Sequence, residues 1–344
     1  MIKYIGEGNC SGNHAGNKAR SDINTIMEKH YGKALLNFNH YKFESKFQKI
    51  KFMLSRDMLC TLGSAITLSN NIAVLQYPFY YDFMTKWCLK RFVKNNLVAF
   101  VVHDVDILRD AGKSTLEETL DELNAAKILI VHNSHMKNKL KEIGVTTQMI
   151  ELELFDYVLN TIPQSNYKKN HNIIFAGNLA KSKFLLSERI QRLGIGFNLY
   201  GPNYEKSKIH WDNIFYKGSY NPDEIPYKLR GSFGLVWDGT STDTCDGAMG
   251  QYMQYNNPHK LSLYIAAGVP VIVWRKAAIA DFVKKSGIGF VIDSLGEIAE
   301  KRDKITPHEY NMFINNTKVL QRQICQGEFT HRALALVEDF FKLS

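Results

Sequence analysis

Short apolar, β-branched runs alternate with amphipathic stretches along nearly the whole chain, and the alternation passes through two complete series. Such a pattern specifies βαβ units and parallel sheets, because each run has strand length and each stretch between runs carries the helical period. In the first series strands are predicted at Lys3–Ile5, Ala73–Pro78, Leu97–His103, Lys127–His132 and Gln148–Leu152. Helices are predicted near 18–29, 45–58, 82–94, 114–125 and 134–143. Periodicity lapses over Tyr157–His171, which reads as a linker. The second series places strands at Asn172–Ala176, Phe197–Tyr200, Ile214–Tyr216, Gly234–Trp237, Val269–Val273 and Gly289–Ile292. Its helices fall near 183–193, 223–230, 259–267, 277–285 and 308–325, and a last helix, Thr330–Leu343, follows the completed series. The simplest account is two consecutive doubly wound α/β domains, 1–160 and 170–329, with the helix in 330–344 free to pack elsewhere. Ligands of open α/β sheets bind outside the carboxyl ends of the strands. The expected site is therefore a cleft between two facing domains, and residues just after strands become the candidates.

Composition removes several classes. The 344 residues, 45% hydrophobic and 22% charged, are ordinary for a soluble globular protein of about two domains. Five cysteines without a CxxC pair exclude a zinc ribbon and a thioredoxin motif, and their odd number argues against a secreted disulfide framework. The N-terminus lacks a signal-peptide core, and the longest apolar run, Leu261–Trp274, is interrupted by Gly268 and Pro270. A cytoplasmic location is expected. The net charge of +9 favours phosphate-bearing small molecules, anionic lipid or nucleic acid. The basic patches Lys46–Lys49–Lys51 and Lys86–Lys90–Arg91–Lys94 read as solvated helix faces, and without a dense basic stripe or a recognisable module no nucleic-acid partner is expected.

Four constellations follow strands. Gly8 to Lys18 is glycine-rich and precedes a helix, but its spacing is neither GxGxxG nor a P-loop, so it reads as an anion-binding turn or simply as a flexible one. His103-Asp104-Val105-Asp106 closes a very apolar strand; an imidazole beside a carboxylate suits a general base for a hydroxyl. The Asp-x-Asp pair also admits a divalent-metal reading or a purely structural hydrogen-bonding one. Phe175-Ala176-Gly177-Asn178 leads through a glycine turn to Lys181, a grip suited to a phosphate or a sugar edge. Lys260 falls in the first turn of a short helix, where the helix dipole disfavours a cation unless a bound anion shares the amides and the ammonium. In addition, Tyr220 precedes Asn221-Pro222-Asp223-Glu224, a helix start at which an aromatic ring could stack on a nucleobase.

These residues, in this order, resemble the GT-B glycosyltransferases. The run from Lys260-Leu261-Ser262 into AAGVPVIV looks like the nucleotide-sugar helix and strand of that fold. Together with Val101–Arg109, FxGN at 175–178, YxPDE at 220–224 and FGLVW at 233–237, it is similar to one bacterial family. That family includes the glucosyltransferases acting second on serine-rich-repeat adhesins and β-1,6-galactofuranosyltransferase-like proteins. The resemblance implies two Rossmann-like domains facing a cleft, with UDP-sugar held by the second and acceptor by the first, and the C-terminal helix crossing back to the N-terminal domain. It implies glycosyl transfer without cofactor or essential metal, and homo-oligomers. Residue by residue, it assigns Lys260 to the diphosphate, Lys181 to the place of a basic phosphate ligand, Tyr220 to the uracil, and Gly177 and Asn178 to the donor turn. Gly16 and Asn17 would lie in the loop closing over the donor. No Glu stands between Glu224 and Glu297, so the paired glutamates of many retaining GT-B enzymes are missing and a different donor-side arrangement is expected.

The function so implied is transfer of a hexose, with glucose favoured, from a UDP-sugar to a sugar hydroxyl on a glycoprotein or glycan acceptor, such as an N-acetylglucosamine-modified serine-rich-repeat adhesin. Asp104, aided by His103, would be the acceptor base. The alternatives are galactofuranosyl transfer to a lipid-linked polysaccharide intermediate, and a non-catalytic GT-B-like partner subunit. The aromatic run Tyr77-Pro78-Phe79-Tyr80-Tyr81 with Phe83 and Trp87, beside the basic 86–94 patch, reads as core, as a sugar platform or as a peripheral membrane contact.

Overall fold

A computed structural model describes residues 1–7, 15–38, 67–68, 70–79, 83–109, 114–164, 167–169 and 172–343. The chain divides into two compact units. The first comprises Met1–Gly12, Ala19–Leu152 and Thr330–Ser344, and the second comprises Asn13–Lys18 and Glu153–Phe329.

Among the described residues of the first unit, the sheet contains β1 (Ile2–Glu7), β2 (Leu36–Phe38), β3 (Ile72–Tyr77), β4 (Leu97–Val102), β5 (Ile128–Val131) and β6 (Gln148–Glu151). Every pairing is parallel and the order is β2-β1-β3-β4-β5-β6. Strands β3 and β5 are buried throughout and β4 from its second residue, which is why each reads as an unbroken apolar run instead of an alternating one. Helices α1 (Ala15–Tyr31), α2 (Phe83–Asn95), α3 (Leu116–Ala125) and α4 (Ser134–Glu142) join them. Local signals set these boundaries: Thr115 and Glu118 form a capping box on α3, and the Asn133 side chain accepts from the Met136 amide at the start of α4. The three-residue β2 was not predicted, and the predicted helix at 45–58, with Lys46, Lys49 and Lys51, lies outside the described residues.

The second unit repeats the plan with another strand order. Strands β7 (Ile173–Ala176), β8 (Phe197–Tyr200), β9 (Ile214–Tyr216), β10 (Gly234–Val236), β11 (Val271–Trp274) and β12 (Gly289–Ile292) form a parallel sheet ordered β12-β11-β10-β7-β8-β9. The order reverses between β7 and β10, and this is the switch point at which such sheets bind ligands. Helices here are α5 (Ile225–Lys228), α6 (Gly247–Tyr252), α7 (His259–Ala266), α8 (Ala280–Ser286), α9 (Ile298–Lys304) and α10 (Pro307–Gln326), followed by α11 (Glu328–Leu343). Tyr264 of α7 ties the switch together: its buried hydroxyl accepts from the Ala176 amide at 2.8 Å and donates to the Leu235 carbonyl at 3.2 Å. Only glycine fits opposite its ring, since a Cβ on Gly234 would lie 2.3 Å from it.

Two predictions need correction. The helix expected at 183–193 is a pair of 3-10 turns, because Ser187 is extended and caps the second through the Arg189 amide. The helix expected at 223–230 shrinks to α5, bounded by a turn closed on the Asn221 carbonyl and by an extended Leu229. Helices α6 and α9 were not anticipated, the former because GAMGQY carries two glycines and no apolar stripe. Among the described residues no helix is long and apolar enough to cross a membrane.

Candidate active site

At the switch of the second sheet lies a cavity of about 220 Å³ whose walls include Gly177, Asn178, Tyr220 and Lys260. Four residues singled out from sequence thus meet at one place, brought there by three separate segments. Gly177 and Asn178 follow β7, and the Gly177 amide donates to the Tyr200 carbonyl at 3.0 Å. Gly201 follows β8 with φ of +132°, and a Cβ there would stand 1.9 Å from the Gly177 carbonyl oxygen. Two adjacent strand ends therefore come together without side chains in the cavity wall.

Lys260 occupies the first turn of α7, whose N-cap is Pro258 and which no side chain caps. Its ammonium donates to the Trp237 carbonyl at 3.1 Å and to Asp238 Oδ2 at 3.0 Å, and sits 4.9 Å from the centre of the Phe175 ring. Its stem passes over Gly177, where a Cβ would stand 3.0 Å from Cε. The cation is thus held at the carboxyl ends of both β7 and β10, beside a helix start that no side chain caps, where a phosphate group is favoured. Asp238, the residue after the FGLVW strand, is the partner that sequence reasoning missed; its signal was a carboxylate directly behind an apolar strand.

His259 also lines the cavity, and its Nε2 is buried without a hydrogen-bond partner. Burial, reinforced by the Lys18 ammonium, pushes this imidazole down to about 3, against a backbone hydrogen bond at Asp156. It is neutral at physiological pH, and its ring stacks on Tyr157 at 5.2 Å. The Tyr157 hydroxyl donates to the Pro222 carbonyl at 2.5 Å, fixing the turn that carries Tyr220. The Tyr220 hydroxyl in turn donates to the Lys217 carbonyl at 2.9 Å, leaving its half-buried ring as cavity wall.

Lys181 is placed differently. It is exposed on the turn after Asn178, its amide donating to the Asn178 carbonyl, and it is not among the cavity-lining residues. Gly16 and Asn17 lie in the first turn of α1, within the segment Asn13–Lys18 that clusters with the second unit. Neighbouring Lys18 is buried, donates to the Val158 carbonyl at 2.7 Å, pairs with Asp223 at 2.7 Å and stands over the Tyr157 ring. Gly8 to His14 fall outside the described residues.

In the first unit, His103 and Asp104 follow β4. The His103 amide extends the β3–β4 ladder by donating to the Tyr77 carbonyl at 2.8 Å. Its Nε2 is 2.7 Å from Gln76 Oε1. Asp104 is bound by Arg109 at 2.7 Å, and Asp106 lies 3.8 Å from the same guanidinium. Of the Asp-x-Asp pair, Asp104 is thus answered by an arginine, and among the described residues no group of three or more His, Cys, Asp or Glu could hold a metal ion. Behind His103, buried His132 makes a 3.1 Å hydrogen bond to the Val102 carbonyl. In the aromatic run, Tyr77 and Phe79 are core, packing against Phe100 at 5.8 and 5.3 Å, while Trp87 is 46% exposed; Tyr80 and Tyr81 lie outside the described residues.

Comparison with known proteins agrees along the whole chain. Residues 3–154 match the model of the glucosyltransferase 3-like N-terminal domain, and residues 173–337 that of the glucosyltransferase 3-like C-terminal domain. The β-1,6-galactofuranosyltransferase WbbI of Escherichia coli K12 is 31% identical over 98% of this chain and 99% of its own length. Glucosyltransferase 3 of Streptococcus gordonii is 24% identical over 92% of each chain. Among solved structures, an α-glucosyltransferase in complex with UDP aligns with a TM-score of 0.60 at 11% identity, covering 99% of this chain and 100% of that one. A glycosyltransferase from Rickettsia africae aligns with a TM-score of 0.59 at 11% identity, over 100% and 99% of the two chains. The fold is GT-B, and the chain belongs to the glucosyltransferase 3-like family of glycosyltransferases.

Proposed function

We propose that this glycosyltransferase moves a hexose from a UDP-sugar, with glucose the favoured donor, to a sugar hydroxyl of a glycosylated acceptor. The observation that carries the reading is the Lys260 ammonium, held above side-chain-free strand ends at the switch point and beside an uncapped helix start. When the glycosidic C1–O bond breaks, negative charge develops on the diphosphate. A preorganised cation and aligned amides stabilise that charge without reorganising at the moment of reaction. Asp238 holds the ammonium at rest, and the incoming diphosphate takes its place as counter-charge. The neutral, unpartnered His259 nitrogen supplies a polar contact on the cavity wall, and the Tyr220 ring a stacking face for the base. Lys181, exposed beside the cavity turn, is proposed to reach a phosphate only as a point charge, lacking the bidentate fork of arginine. Gly16 and Asn17 close over the donor, and His103 and Asp104 serve the acceptor hydroxyl. No metal is required, and the working form is a cytoplasmic homo-oligomer.

The test is a thermal-shift panel of UDP, GDP, UDP-glucose, UDP-N-acetylglucosamine, UDP-galactose and UDP-galactofuranose, with and without EDTA. A ligand selective for the folded state raises Tm by mass action. A UDP-specific rise that survives EDTA and is lost in Lys260→Ala supports the donor site and ranks the sugars. No rise with any nucleotide overturns it.

A specific surface favours one alternative acceptor, a lipid-linked glycan. Helix α2 buries Cys88, Leu89, Phe92 and Val93 and exposes Lys86, Trp87, Lys90, Arg91 and Lys94, with Arg91 5.8 Å from the Trp87 ring centre. A basic face with one indole suits an anionic bilayer surface. Co-sedimentation with anionic vesicles, abolished in Lys86→Glu/Arg91→Glu, supports that acceptor; no binding to vesicles leaves the soluble glycoprotein as the better one.

A further inference from the structure

A buried nitrogen in the wall of the donor cavity is left unfilled by the protein. Among the described residues no carboxylate lines this cavity, so a ligand hydroxyl must find another acceptor there. Both lone pairs of Asn178 Oδ1 are taken, by the Ala180 amide at 3.2 Å and by Asn203 Nδ2 at 3.0 Å. The Lys260 ammonium can only donate, and the Tyr157 and Tyr220 hydroxyls are already tied to backbone carbonyls. His259 Nε2 differs, being buried with no partner. The hydrogen bond between this ring and the Asp156 backbone pulls the imidazole up, the sign of a ring N–H given to a carbonyl. That N–H is on Nδ1, because Nε2 has no partner, so the lone pair of the neutral ring resides on Nε2. Such a lone pair repels phosphate oxygens and calls for an O–H or N–H of the ligand. A buried acceptor without a partner costs free energy, which a bound donor group recovers.

We propose that His259 is the ribose contact of the donor site, its Nε2 accepting a hydrogen bond from the 2′- or 3′-hydroxyl of a uridine diphosphate. The inference rests on the donor reading given above, which sets Lys260 at the diphosphate and Tyr220 at the base. Ribose is the covalent link between those two groups, and His259 occupies the corresponding link in the wall. It directly precedes Lys260 in the first turn of α7. Its ring stacks on Tyr157 at 5.2 Å, and the Tyr157 hydroxyl donates to the carbonyl of Pro222, two residues beyond Tyr220. Tyr220, His259 and Lys260 thus follow the order in which base, ribose and diphosphate are bonded, and all three belong to the second unit. Of the α7 residues on the wall, Lys260 is a donor and Leu263 is apolar, so the acceptor on this helix is His259. The stack on Tyr157 and the bond to Asp156 hold the ring in place, which keeps the ordering cost of the contact small.

The test is calorimetric titration of the full chain with UDP, 2′-deoxy-UDP, 3′-deoxy-UDP and N3-methyl-UDP. It compares wild type with His259→Phe, whose ring keeps the stack on Tyr157 without the lone pair. Wild type is expected to bind one of the two deoxy analogues about tenfold more weakly than UDP, the loss of a single hydrogen bond. His259→Phe should bind UDP about tenfold more weakly and treat that analogue as the equal of UDP, so the two losses do not add. A merely structural role would weaken every ligand alike and keep the discrimination. Equal wild-type affinity for UDP and both deoxy analogues overturns the proposal, as does undiminished discrimination in His259→Phe. A selective loss for N3-methyl-UDP that disappears in His259→Phe assigns the nitrogen to the base and overturns it as well. A second measurement needs no variant: in wild type labelled with ¹⁵N-histidine, UDP should shift the His259 Nε2 resonance. A resonance unmoved at saturation with UDP overturns the proposal. No binding of UDP at all overturns the donor reading itself, whereas binding without discrimination overturns only the ribose contact.

Discussion

Acid is expected to weaken the first unit through one side chain. His132 follows β5, is 1% exposed, and burial pushes its imidazole down to about 4 although backbone hydrogen bonds at His103 and Val102 pull the other way. In the unfolded chain the ring returns to its ordinary value near 6.5. The unfolded state thus binds a proton that the folded state refuses, so stability rises with pH across this window. The contribution is fully present above about pH 6.5, declines as pH falls, and is exhausted near pH 4. At 1.36 kcal/mol per pH unit, moving from pH 7 to pH 5 removes roughly 2 kcal/mol, and reaching pH 4 removes about 3. That is a large share of a typical domain's stability. The assay is urea unfolding of wild type and His132→Gln at pH 7, 6 and 5. The variant starts less stable, having lost its hydrogen bond, but lacks the acid-labile part, so the gap between the two proteins should narrow by roughly 2 kcal/mol over this range. His259, also pushed down by burial, acts equally in both proteins and cancels from the comparison. Parallel losses in wild type and variant would refute the reasoning.

Three further outcomes follow from the second unit. Gly201→Ala combines a φ of +132° with a Cβ 1.9 Å from the Gly177 carbonyl, and should lower stability by about 3 kcal/mol or more, read as a fall in Tm; a Tm within two degrees of wild type would contradict the geometry. Gly177→Ala meets only the flexible Lys260 stem at 3.0 Å, so Tm should hold while UDP affinity, measured by calorimetry, falls about tenfold, the equivalent of one lost charge contact near 1.4 kcal/mol. Asp238→Asn removes the carboxylate that competes for the Lys260 ammonium and should tighten UDP binding a few-fold, most clearly at low salt; weakened binding would assign Asp238 a direct donor contact.

The strands were legible because burial on both faces forces unbroken apolar runs, as in Val98–Val102 and Val271–Trp274. Lys260 was legible because a lysine opening a helix contradicts the dipole and so asks for a reason. Asp238 was not, since its pairing with Lys260 arises only when the sheet order sets β10 beside β7, a long-range consequence that no local spacing encodes. Gln76 was hidden for the opposite reason: a lone polar residue in an apolar strand looks like a tolerated exception until its three partners, two on α1 and one after β4, are seen. The 183–193 segment has helical composition, yet Ser187 found its hydrogen bond locally and broke the element in two.

The first unit is discontinuous: it takes its final segment, Thr330–Ser344, from beyond the whole second unit. That segment is anchored by specific contacts, including the stack of His331 on His30 at 3.9 Å and the burial of Ala333, Leu334 and Val337. During synthesis the N-terminal sheet therefore emerges long before the helix that completes it, and must wait while the second unit is translated. At ribosomal speeds of about 5–20 residues per second this interval lasts on the order of ten seconds or more, with the surface that this segment covers left open throughout. The nascent N-terminal half is thus the stage most dependent on chaperones, and a circular permutant that joins the 330–344 helix directly to the first unit should shed that dependence.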